Sequence, residues 1–229
     1  MWTTRVFTLY PELFPGPLGI GLYKRAIEKK LWSLEIVNIR DYSLDKHNTV
    51  DDTPFGGGSG MLMRADVIAN SLDKNISNKN ESIIYLSPKG KSFKQISAKK
   101  FLNKNLNIIC GRFEGVDERL LETRNIEEVS IGDFVLSGGE IAALIIIDTI
   151  VRLIPGIVGN ADSLIDETFE KNLLEYPQYT KPQKWEKKDV PEVLLTGDHL
   201  KIKDWRLAQS EDITRRRRSD LWEKYKKEK

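Results

Sequence analysis

Short apolar runs, partly β-branched, recur through the first two-thirds of the chain at Arg5–Leu9, Leu34–Ile39, Ser82–Leu86, Leu106–Cys110 and Glu128–Ile131. Each has the length of a strand, and several are apolar enough to be covered on both faces, as strands of a parallel sheet are. Between them the spacing of apolar positions turns helical. Ile20, Tyr23, Ile27 and Leu31 share one helical face, as do Ile68 and Leu72. Ser92 with Gln95 fits a capping box at the start of a segment holding Phe93, Ile96 and Phe101. Ser137-Gly-Gly-Glu140 fits another, ahead of the apolar stretch Ile141–Ile154, which Pro155-Gly156 ends. The alternation predicts an α/β domain on a largely parallel sheet.

That pattern fades after residue 156. Residues 157–180 hold Gly159, Asn160 and Pro177 with few periodic apolar positions, and read as a linker or lid. The rest is helical in pattern, so the expected division is 1–156, 157–180 and 181–229. A chain of 229 residues accommodates one or two domains. Thirty-six basic and thirty-four acidic residues give a formal charge of +2, which singles out no partner. The distribution says more: residues 181–229 carry fifteen basic and ten acidic side chains, against twenty-one and twenty-four before them. Such an excess suits nucleic acid, although a solvated tail has the same composition. No repeat of solenoid period occurs.

Several classes drop out. The longest apolar run, Ile141–Ile147, has seven residues where a membrane-spanning helix needs roughly 20. The start, Met1-Trp2-Thr3-Thr4-Arg5, lacks the basic-then-apolar layout of a secretion signal, so a cytoplasmic protein is expected. One cysteine, Cys110, forms no internal disulfide, and with only His47 and His199 it argues against a cysteine/histidine zinc site. Neither the phosphate-binding loop of ordinary nucleotide hydrolases nor the glycine pattern of a Rossmann fold is present. A Gly-x-Ser-x-Gly elbow is missing as well.

What remains are glycine-rich stretches. Asp51-Asp-Thr-Pro-Phe-Gly-Gly-Gly-Ser-Gly-Met61 is one; Cys110-Gly-Arg-Phe-Glu-Gly-Val-Asp-Glu-Arg119 and Ile131-Gly-Asp-Phe-Val-Leu-Ser-Gly-Gly-Glu140 follow predicted strands. With Leu86-Ser-Pro-Lys-Gly90 after another strand, three loops are expected to meet at the carboxyl edge of the sheet, where open α/β folds bind ligands. Glycine there serves tight turns or close approach to a ligand. Chemistry in such a crevice would run on carboxylates, arginines and backbone amides.

These stretches, together with Tyr85-Leu-Ser-Pro88, Arg152-Leu-Ile-Pro-Gly156, Leu173-Leu-Glu-Tyr-Pro-Gln-Tyr-Thr180 and Trp205-Arg-Leu-Ala-Gln-Ser210, closely resemble the bacterial tRNA (guanine-N1)-methyltransferases of the TrmD type. The motifs run in that family's order from Met1 to about Leu221. The resemblance implies a SPOUT-type, trefoil-knotted sheet with helices on both faces and a small helical C-terminal domain. It further implies a homodimer with its active site at the subunit interface, and methyl transfer from S-adenosylmethionine to guanosine 37 of tRNA, with magnesium a possible assistant. Neither membrane nor DNA is an expected partner.

Carried over position by position, the resemblance puts the cofactor against Tyr85, Leu86, Ser87, Pro88, Gly111, Ile131, Gly132, Asp133, Phe134, Val135, Leu136, Gly138 and Gly139. Glu114 falls on the guanine side, and Asp51 is a further substrate-binding candidate. In the basic C-terminal module Arg206 and Arg215 are candidates for tRNA phosphates, the alternative for Arg215–Arg218 being an exposed helix end. Arg152 matches an arginine beside the reacting base. Where the family has an aspartate before Ser-Phe as general base, this chain reads Asp166-Glu167-Thr168-Phe169, so the base is Glu167 by alignment or Asp166 by adjacency. Thr53, Phe134, Ala142 and Ser219 also replace the arginine, tyrosine, proline and proline common there. Two rival readings are a ribose or other RNA methyltransferase of the same fold, and a non-catalytic RNA-binding module.

Overall fold

Consecutive residues on the central strands enter different cores, as a parallel sheet covered on both faces requires. In the computed structural model, which describes residues 1–78, 80–158, 168, 169 and 171–229, Val6 joins one core and Phe7 the other. Ile84 and Leu86 flank Tyr85 in the same way, and Ile108 and Cys110 flank Ile109. The described chain forms two compact units, residues 1–159 and 160–229.

In the first unit the elements are β1 (Trp2–Thr8), α1 (Gly21–Glu28), β2 (Trp32–Asn38), the short β3 (Asp51–Asp52) and β4 (Leu62–Met63), and α2 (Ala65–Asn75). They continue with β5 (Ser82–Ser92), α3 (Gln95–Phe101), β6 (Leu106–Cys110), α4 (Glu118–Thr123), β7 (Glu127–Ser130) and α5 (Glu140–Val151). The five longer strands make one parallel sheet in the order β2-β1-β6-β5-β7. Helices α1, α3 and α5 cover one face, through Ala26, Ala98 and Ile146 among others. The opposite face is covered by α2 and α4, through Ile68, Leu72 and Leu120. The five predicted runs are the five strands, with ends displaced. β1 begins three residues early, at Trp2, because the polar Thr4 is itself buried beneath the Trp32 indole, whose Nε1 donates to Thr4 Oγ1 at 3.4 Å.

Both expected capping boxes are absent. α3 follows Lys94, with Ser92 serving as the last residue of β5, and α5 follows Gly139 with no side-chain cap. Glu140 cannot reach back to Ser137 because its carboxylate is turned into the core, onto Thr8. α4, which no apolar spacing predicts, begins at the last two residues of the second glycine-rich motif; Asp117 caps it by accepting from the Arg119 amide at 3.0 Å.

The second unit holds a hairpin, β8 (Lys184–Trp185) and β9 (Lys188–Asp189), and two helices, α6 (His199–Arg217) and α7 (Ser219–Glu228). Asp198 caps α6 by accepting from the Leu200 and Lys201 amides, both at 3.2 Å. Thr214, fully buried, donates to the Ser210 carbonyl and accepts from the Leu174 amide at 2.8 Å, so the described part of 168–180 is tied to α6.

One irregularity positions the site. Val129 of β7 pairs with both Leu86 and Lys91 of β5, so residues 87–90 leave the ladder and return to it. The return needs glycine: a Cβ on Gly90 would sit 2.3 Å from the Val129 nitrogen. Replacing Gly90 by alanine is expected to cost about 2 kcal/mol, as overpacking does, and to lower the thermal midpoint by about 5 °C. An unchanged melting curve would mean the two strands part there without penalty.

Candidate active site

Where β5, β6 and β7 end, a cavity of about 350 Å³ opens among three loops: residues 85–89, 111–116 and 131–139. Two of these loops pack backbone against backbone. The Gly139 amide donates to the Gly111 carbonyl at 2.9 Å, and a Cβ on Gly139 would lie 2.8 Å from the Cys110 Cα. At the head of the third loop Ser130 Oγ accepts from the Gly132 amide at 3.2 Å. Tyr85 is buried beside the cavity and accepts a hydrogen bond from the Val116 backbone. Burial, helped by the charge of Glu128, pushes its hydroxyl up to about 12, so it stays protonated at neutral pH.

A buried polar cluster joins these loops to the sheet. Glu140, 1% exposed, accepts from Thr8 Oγ1 at 2.7 Å and pairs with Arg112 at 2.9 Å. Arg112 also donates to the Ser137 carbonyl at 3.2 Å and lies 4.2 Å above the Tyr10 ring. The ion pair is close but poorly angled, leaving Arg112 Nε and Glu140 Oε2 without a hydrogen bond. Next to it, Cys110 is buried, and desolvation, reinforced by the Glu140 charge, pushes its thiol well above the usual range. The thiol is therefore a poor nucleophile.

The cavity brings together every expected cofactor residue except Asp133, which is exposed and outside the lining. Glu114 lines it as well. Asp51 lies outside it, opposite Met63 in the β3–β4 pair. That pair nevertheless reaches the site: the Glu114 amide donates to the Met61 carbonyl at 3.0 Å, and the Met63 amide to the Gly115 carbonyl at 2.9 Å. Arg152 terminates α5, twelve residues beyond Glu140 and therefore about 18 Å along the helix from the cavity end. It lies near Asp148, whose carboxyl is raised by burial and partly lowered again by the arginine. Arg206 and Arg215 are on α6, the first over the Tyr176 ring at 4.8 Å and the second paired with Asp212 at 2.9 Å. Glu167 and Asp166 lie outside the described residues.

Sequence reasoning missed Lys89, Arg112, Glu118 and Glu128, all of which line the cavity. Lys89, Arg112 and Glu118 stood inside recognised motifs. A role for Arg112, however, was visible only through Glu140, which is remote in sequence. Around the opening the acids Glu114, Glu118 and Glu128 outnumber Lys89, which has no ion-pair partner among the described residues, so the site suits a ligand with a positive centre.

A family model described as tRNA (Guanine-1)-methyltransferase TrmD matches residues 1–224. The chain is 64% identical over 228 residues to a tRNA (guanine-N(1)-)-methyltransferase of Pelagibacter ubique, covering 99% of this chain and 100% of that one. Proteins of the same name from Bartonella tribocorum and Zymomonas mobilis are 53% and 52% identical, over 97% and 98% of this chain and 96% and 91% of theirs.

Removing one member of a buried ion pair leaves the other charge uncompensated, at roughly 3–5 kcal/mol. Glu140→Ala is therefore expected to lose about 3 kcal/mol in urea unfolding, whereas Glu140→Leu combined with Arg112→Met recovers most of it. A single substitution costing under about 1 kcal/mol would show that the cluster does not hold the loops.

Proposed function

The chain belongs to the tRNA (guanine-1)-methyltransferase family, and we propose that it transfers a methyl group from S-adenosylmethionine to N1 of guanosine 37, beside the anticodon of tRNA. Membership brings the SPOUT fold, to which the helix-flanked parallel sheet conforms. The observation that carries the proposal is the cavity itself. Its volume of about 350 Å³ falls within the range of small-molecule sites, and its acidic opening complements a sulfonium. Backbone groups of residues 85–89, 111–116 and 131–139 would hold the adenosine, with glycines keeping the space clear. When bound, S-adenosylmethionine supplies an electrophilic methyl group. Magnesium enters the proposal only by family likeness, as an assistant; among the described residues no group of three or more acids, histidines or cysteines is placed to hold a metal ion.

The remaining task belongs to the protein. Guanine N1 carries a proton at neutral pH, so its lone pair becomes available only as a base removes it. Glu167, or failing it Asp166, takes that role by family likeness. A carboxylate within hydrogen-bond reach accepts that proton as attack begins. Loss of the proton places charge on O6, which Arg152 would stabilise as an oxyanion-hole donor does. Glu114, with Asp51 nearby, orients the base, while Arg206 and Arg215 hold phosphates without reading sequence.

Two observations support a homodimer with a shared site. Helix α5 is apolar almost all round, yet Ile141 and Ile145 are 52% and 45% exposed, with Val135 and Ile20 at 85% and 69%. A helix of that kind is normally buried, and so much apolar surface marks an interface. Arg152, moreover, lies too far along α5 from the cavity of its own chain, so a second copy would supply it. No described helix is long and apolar enough to cross a membrane; the cytoplasmic location belongs to the proposal through the tRNA substrate.

Labelled S-adenosylmethionine with a tRNA transcript carrying guanosine at positions 36 and 37 is expected to yield N1-methylguanosine after nucleoside digestion. A ribose-methylated product would favour the rival methyltransferase reading, and no binding of the donor would leave only an RNA-binding module. Glu167→Ala is expected to lower turnover by at least about 100-fold; near-normal turnover there with loss in Asp166→Ala would move the base by one residue. Mixing inactive Glu114→Ala and Arg152→Ala proteins is expected to restore activity, because a mixed dimer holds one complete site. Failure of the mixture would place both residues in one chain's site.

A further inference from the structure

The second unit has a concavity of its own, about 460 Å³, between residues 176–183 and the start of α6. Val190, Leu194 and Ile202 give it apolar surface, and Tyr179 and Trp205 give it aromatic surface. Those two rings are 6.3 Å apart and inclined at 55°, a tilted pair and not a closed parallel stack. Its charged lining consists of Lys181 and Arg206, with no carboxylate among the described residues that line it. The Arg206 guanidinium is held over the Tyr176 ring at 4.8 Å, which fixes its place beside the concavity.

Apolar surface, aromatic faces and paired cations without a counter-acid are the combination by which proteins hold an unstacked nucleotide: the base stacks and the phosphate meets the cations. We propose that this concavity takes one unpaired nucleotide of the RNA substrate, stacked against Trp205 and Tyr179 with its phosphate toward Lys181 and Arg206. The Gln183 side chain, also in the lining, provides an amide for the base edge. Since every base has a π-face, such a site grips an exposed nucleotide with little regard to its identity, and it recognises tRNA by where a base is splayed out. The inference rests on tRNA being the substrate, and it adds a second, non-reacting nucleotide to the one that is methylated.

The test uses the full chain and a fluorescently labelled tRNA transcript, with affinity measured over a series of salt concentrations. Trp205→Ala is expected to bind about tenfold more weakly with an unchanged salt slope, and Trp205→Phe to stay within about twofold of the parent, because only stacking is altered. Arg206→Gln is expected to reduce the slope by about one, as loss of one phosphate contact does. Affinity for S-adenosylmethionine should not move in any of the three. Parental tRNA affinity in Trp205→Ala overturns the proposal, as does a change in oligomeric state in place of a change in RNA binding. Should Trp205→Ala fail to fold, photocrosslinking of thiouridine-substituted tRNA to the unsubstituted chain decides. Adducts on Tyr179 or Trp205 support the site, and adducts confined to other residues sink it. If the unsubstituted chain binds no tRNA at all, it is the substrate reading that fails.

Discussion

A carboxylate buried at the start of one helix organises the whole cavity. Glu140 faces Thr8 at the end of β1 and Arg112 just past β6, while Arg112 also holds the carbonyl of Ser137. Three segments far apart in the chain thus converge on one charge pair whose carboxylate is buried and whose guanidinium is only partly exposed. In such surroundings an unpaired charge is costly, so the members stay or fall together. The glycines among the cavity's lining, Gly111, Gly138 and Gly139 included, bring no side chain to hold the loops together, so the fixture has to come from beside them.

The fold was legible in the chain and the site partly so, for different reasons. Strands buried on both faces announce themselves through continuous apolar runs, and the five runs became the five strands of the sheet. Their edges were less readable. β5 continues past Leu86 because Gly90 lets it rejoin β7, and neither Pro88 nor Lys91 looks like strand interior. Local capping rules failed at Ser137-Gly-Gly-Glu140 because Glu140 had a stronger engagement in the core, a case of tertiary contact overriding local preference.

Motif likeness named the loops around the cavity but not which of their charged side chains line it. Arg112 and Glu118 stand six residues apart after β6, whereas Glu128 lies on β7 and meets them at the opening only through the sheet. Arg152 illustrates the converse. The motif sets it with the reacting groups, yet α5 carries it away from the cavity of its own chain. Distance along a rigid helix cannot be seen in a motif alignment, whereas in the fold it becomes the reason to look to a second subunit.

The departure of residues 87–90 from β5 behaves as an arch with both footings on the same beam, since Val129 receives the chain before and after it. Load placed on the crown, around Ser87 to Lys89, passes into β7 at Val129 and Ser130 and, through Leu86, into Cys110 of β6. Drift in the crown over evolutionary time would therefore retune what sits beneath it while leaving the architecture standing, whereas drift at the Gly90 footing would bring down loop and strand together.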